Sequence, residues 1–129
     1  MRFISTRAHG VLDYLSGLLI LGSPWIFGFA TGGPAQWVPV IVGAMILLMS
    51  IMTNYEAGMV KAIPMPAHLT MDVLAGVVLA ASPWIFDFDE LVYLPHVIFG
   101  ILEIGAGLFT ERVPYQRGEH QRGEIRGAH

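Results

Sequence analysis

The sequence predicts an all-α fold, a four-transmembrane-helix bundle built from two parallel two-helix repeats. Three observations predict it. No charged residue occurs between Asp13 and Glu56. Turn-forming residues cut the apolar length of the chain into stretches suited to crossing ~30 Å of hydrocarbon. A segment of the first half also recurs without a gap in the second, the signature of a duplicated unit.

Composition points the same way and removes several functional classes. Of 129 residues, 54% are hydrophobic and 13% charged, and the mean hydropathy is +0.60; soluble domains carry about 25% charged residues. Cysteine is absent, which excludes a disulfide framework, a zinc ribbon, a thiol nucleophile and c-type haem attachment. The net charge of −3 gives no nucleic-acid footprint.

The first span is preceded by Arg2 and Arg7 and ends at a turn over residues 30–36 that holds Gly32, Gly33 and Pro34. Arg residues before an apolar run also mark secretory signals, but the second copy of this span inside the chain argues against cleavage. The second span runs to Thr53 and a linker follows over 54–67. The third span is expected from Leu69 to Phe86, an acidic turn at 87–90 comes next, and the fourth runs from Leu91 to Phe109 with Glu103 inside it. Each is about 17–20 residues, and none carries the polar stripe that a water-soluble bundle needs. The membrane domain is therefore assigned to 1–110, with repeats at about 8–53 and 67–110. Residues 111–129, with Gln-Arg-Gly-Glu twice, are expected to form a polar, solvated cytoplasmic tail that includes His120 and His129.

Orientation follows from the basic residues. Arg2, Arg7, Lys61, Arg112, Arg117, Arg122 and Arg126 all lie in the N-terminal arm, the linker or the tail. The positive-inside bias places both termini and the linker in the cytoplasm, with the short turns outside.

Aligning 8–29 with 67–88 gives 11 identities in 22 positions, against the ~2 expected by chance. Gly43 with Gly100 and Thr53 with Thr110 anchor the weaker second half. Each unit holds two spans, so the copies enter the membrane in the same direction and are related by a two-fold along its normal. Ser23-Pro24-Trp25 and Ser82-Pro83-Trp84, each near the end of the first span of a unit, resemble the SPW-repeat family of small prokaryotic integral membrane proteins. The resemblance covers about residues 8–110. It implies a multi-pass protein of the prokaryotic cytoplasmic membrane and carries no established activity, so no catalytic residue follows from it.

Pro24 and Pro83 lack an amide hydrogen and leave the carbonyls of Ile20 and Leu79 unpaired; Ser23 and Ser82 are placed to satisfy carbonyls at such a break. Trp25 and Trp84, with the phenylalanines after them, suit the outer interface belt. Gly17, Gly76, Gly43, Gly100 and Gly107 lie on stripes of small residues and read as helix-packing positions.

The pattern with most chemical content is His9-x3-Asp13-x3-Gly17, repeated as His68-x3-Asp72-x3-Gly76. A spacing of four puts each set on one helical face. Ser5 or Thr6 caps the first helix and Pro66 occupies the first turn of the third, so both histidines lie near helix starts. In one reading each Asp orients its own His or pairs with Arg7. In another the two-fold joins both sets into a site for a divalent metal, and in a third the imidazoles bracket a haem b. Glu103 is expected to face protein near the level of the aspartates and to join that polar cluster, whereas His96 is expected at the outer surface, solvated. No phosphate loop, nucleophile elbow or HExxH motif occurs, so no enzyme and no cofactor is expected. Two functional classes stay open. The first is a structural or accessory membrane protein that self-associates or joins a larger membrane complex. The second is a ligand-, metal- or ion-handling protein that uses His9, Asp13, His68, Asp72 and Glu103.

Overall fold

The computed structural model describes residues 3–53, 58–60 and 62–110. The tail at 111–129, part of the linker, and every basic residue except Arg7 lie outside the described residues. Among the described residues four helices are present: α1 (Thr6–Ile26), α2 (Pro34–Met52), α3 (Met65–Ile85) and α4 (Leu94–Phe109). Among the described residues no strand is present, only two isolated bridges.

Two helix boundaries differ from the sequence expectation. α2 starts at Pro34, inside the expected turn, because proline needs no amide partner at the first helical position. Gln36 and Trp37 then fold back on Gly32, the first accepting from its amide and the second donating to its carbonyl. α4 starts at Leu94 instead of Leu91, since Leu91 and Val92 donate their amides to the Phe88 carbonyl in a turn. That leaves α4 with 16 residues. By length and composition α2 and α3 are apolar enough to cross a membrane, and α4 is a shorter apolar helix.

α1 packs on α2 and α3 on α4 as two hairpins, and the α2–α3 and α1–α4 seams close the ring. Glycine makes the hairpins tight. A β-carbon added at Gly43 would lie 2.6 Å from the Leu21 nitrogen and 2.8 Å from the Gly17 oxygen, and one at Gly100 would lie 2.6 Å from the Gly76 oxygen. Gly107 approaches the Leu69 carbonyl in the same way, while Gly17 and Gly76 also admit Leu47 and Ile104. All five glycines thus occupy helix crossings, where a missing side chain lets backbones meet.

The hairpins meet around a central apolar cluster of Ile20, Val42, Ile46, Ala75, Leu79 and Phe99. Ile20 and Leu79 are equivalent positions of the duplication. At the end where α1 and α3 begin, the segment leading into each of these helices is strapped to the end of a hairpin: Ile4 bridges to Thr110, and Ile63 to Thr53.

Candidate functional site

Both histidines enter from the first turn of a helix. Ser5 caps α1, its hydroxyl accepting from the Ala8 amide, and Pro64 caps α3, with Pro66 in the first turn. The His9 and His68 amides donate to the carbonyls of these caps, which fixes the two imidazoles at equivalent heights. Asp13 and Asp72 follow one turn later, and the four side chains meet between α1 and α3. All four are buried, at 0–2% exposure.

The pairing runs across the repeats as well as within them. His9 Nε2 lies 3.0 Å from Asp13 and 2.8 Å from Asp72, and His68 Nε2 lies 3.0 Å from Asp13 and 3.2 Å from Asp72. Each aspartate therefore serves both histidines, which replaces the expectation that each orients only its own. Arg7 is exposed and takes no part among the described contacts.

The outer nitrogens are held by threonine. Thr53 Oγ1 donates to the Met49 carbonyl and Thr110 Oγ1 to the Ala106 carbonyl. With its one proton committed, each hydroxyl accepts from an imidazole, Thr53 from His68 Nδ1 (2.6 Å) and Thr110 from His9 Nδ1 (2.7 Å). Nδ1 thus carries a proton in both rings, and both Nε2 atoms face the carboxylates, at contacts that require a proton or a cation between nitrogen and oxygen. Each histidine is anchored by the threonine of the other repeat.

Glu103 faces protein, at 3% exposure. Ser16, one turn beyond Asp13, donates to its Oε1 at 3.0 Å, while Oε2 has no hydrogen-bond partner among the described residues. Glu103, Ser16 and Asp13 line one side of a cavity of about 400 Å³ between α1 and α4, whose apolar wall includes Leu12, Leu102 and Phe109. Glu103 thus adjoins the His/Asp quartet through Ser16 and Asp13.

At the other end His96 is buried, not solvated as expected. Pro39 has no amide to offer the Ala35 carbonyl four residues back, and His96 Nε2 donates to that oxygen at 2.8 Å. Phe29 and Phe88, equivalent residues of the two copies, flank the imidazole with ring centroids 4.9 Å away. These phenylalanines therefore turn inward, whereas Trp25 and Trp84 are exposed. At the proline breaks Ser23 and Ser82 each donate to the carbonyl three residues back, Ile20 and Leu79, at 2.7 Å.

Sequence reasoning found the quartet and Glu103. It used Thr53 and Thr110 only as alignment anchors and did not single out Ser16. The signal for the threonines was present as a hydroxyl kept at the end of both second helices, where main-chain bonding runs out.

One atom from each of His9, Asp13, His68 and Asp72 can be chosen so that all lie within 4.8 Å of one another, the reach of a metal ion. The two imidazoles are edge-on at 5.4 Å, with both Nε2 atoms against the same carboxylates. That arrangement suits one ion better than a planar haem, which needs opposed rings on its two faces. Among family models, the one described as SPW repeat domain matches residues 7–110. No curated protein and no solved structure matches the chain.

Proposed function

This chain belongs to the SPW repeat family, and on that premise we propose that it is a four-span protein of the prokaryotic cytoplasmic membrane with a structural or accessory role. It acts without catalysis, and it self-associates or joins a larger membrane complex. The observation that carries the reading is the distribution of side chains around the bundle. Apart from Arg7 and Thr70 near the starts of α1 and α3, exposed positions are apolar on all four helices, among them Leu15 and Leu18 on α1, Ile41 and Leu48 on α2, Leu74 and Val77 on α3, and Ile101 and Leu102 on α4. The polar groups of the quartet, Glu103 and His96 lie inside. Water would favour the opposite arrangement, while lipid favours this one.

The same distribution explains why α1 is less apolar than a typical span. Its His9, Asp13 and Ser23 are spent on the interior, leaving Val11, Leu12, Leu15, Leu18 and Leu19 outside. α4 covers only about 24 Å at 1.5 Å per residue, a shortfall that local bilayer thinning absorbs. Trp25, Trp37, Trp84 and Tyr93 gather at the end opposite the quartet, as an interfacial belt would. With both termini cytoplasmic, the quartet lies toward the cytoplasm.

The chain contains no cysteine, so Gly33→Cys and Gly118→Cys each introduce a single label site. The two are expected to react from opposite faces of sealed membranes, and labelling from the same face overturns the four-span arrangement. Native mass in mild detergent is expected to exceed the 14.1 kDa of one chain; a monomer under every condition removes self-association.

A further inference from the structure

We propose that His9, Asp13, His68 and Asp72 form a binding site for one divalent first-row metal ion of the Zn²⁺ class. The donor set is two imidazoles and two carboxylates, the borderline mixture that such ions take. Two carboxylates also balance a 2+ charge, so the loaded site is neutral within an apolar bundle.

Three features of the geometry carry the assignment. First, the donor atoms are spaced for it. Metal–ligand bonds of about 2.0–2.1 Å in a tetrahedron put neighbouring donors about 3.3 Å apart and two imidazole centres about 5.2 Å apart. The four His–Asp separations here, which engage Asp72 Oδ2 and both oxygens of Asp13, are 2.8–3.2 Å, one atom from each residue can be chosen with all within 4.8 Å, and the ring centres are 5.4 Å apart.

Second, Thr53 and Thr110 hold Nδ1–H of each ring and so present both Nε2 atoms inward. Metal-binding histidines are oriented in this way by a partner on the far nitrogen. Third, one carboxylate converges more than pairwise hydrogen bonding requires. Asp72 places one oxygen, Oδ2, against both imidazoles, while its wholly buried Oδ1 has no hydrogen-bond partner among the described residues. Asp13 divides its contacts, Oδ1 to His9 and Oδ2 to His68, so the gathering around one point is made by Asp72. The cavity between α1 and α4 is lined by Asp13 and by Glu103, whose buried Oε2 also has no hydrogen-bond partner among the described residues.

The test uses the full-length protein in mild detergent, freed of metal by chelator and titrated with Co²⁺ and then with Zn²⁺. The expected result is one Co²⁺ per chain with the visible absorption of a tetrahedral ion, displaced by one equivalent of Zn²⁺. The His120→Gln/His129→Gln variant is expected to bind equally, because the tail histidines stand outside the site; loss of binding in that variant overturns the proposal. Asp72→Asn and His9→Gln are expected to abolish the tetrahedral signal. Thr110→Val keeps all four donors and is expected to weaken binding about 10- to 100-fold. An unchanged signal in Asp72→Asn overturns the site. Should that variant fail to fold, the wild-type titration decides, since no tetrahedral Co²⁺ absorption at stoichiometric metal refutes the assignment.

Discussion

Midway along its second helix the first repeat buries Ile46, and at the equivalent position the second repeat buries Glu103. The neighbours differ in step. Ile46 shares the central cluster with Ala75 of α3, whereas Glu103 accepts from Ser16 of α1, the residue equivalent to Ala75. One seam between the hairpins is thus closed by an apolar pair and the other by a polar pair. A cavity lined by Asp13, Ser16 and Glu103 lies beside the polar pair. The two halves are thus alike at one end, with a histidine–threonine anchor in each, and differ in the middle, where one seam is apolar and the other polar.

The largest effect tests the likeness. Asp13→Ala and Asp72→Ala each leave both imidazoles short of a buried carboxylate and are expected to destabilise the bundle by about 3–5 kcal/mol. Thermal unfolding in detergent should show nearly equal losses, and a marked inequality would mean that the pseudo-symmetric quartet is one-sided. Gly43→Ala and Gly100→Ala come next. Their added carbons meet backbone at 2.6 Å and below, and overpacking of this kind costs about 1–3 kcal/mol in each hairpin. The difference between the seams gives the smallest effect. Ser16→Ala alone removes the one donor to Glu103 among the described residues and is expected to cost about 1 kcal/mol. The double change Ser16→Ala/Glu103→Ile copies the apolar seam and is expected to return stability to within about 1 kcal/mol of the parent. Additive losses in the double variant would show that the α1–α4 seam cannot close as the other does.

Much of this architecture was legible because its causes are local. Charge-free runs, prolines and turn glycines mark the helices, and the Ser-Pro pairs announce their own carbonyl repair. The quartet was legible because a spacing of four is a helical face and the repeat supplies it twice. What escaped depends on partners distant in sequence. Pro39 frees the Ala35 carbonyl, but nothing near it says that His96 will arrive to fill the gap and so become buried. The exchange of threonines between repeats was equally silent, since the duplication shows which residues correspond and not which copy each one touches.

That exchange has a consequence for the order in which the molecule is made. When the first hairpin leaves the ribosome it carries His9, Asp13 and the acceptor Thr53, but the imidazole for Thr53 and the hydroxyl for His9 have not yet been synthesised. Thr110, the last of the described residues, closes the circuit, because His9 gains its anchor only when the end of α4 is in place. The cluster is in effect a completion signal: a chain truncated anywhere before Thr110 buries an imidazole that has lost its hydroxyl, and the earlier hairpin has no means of finishing alone.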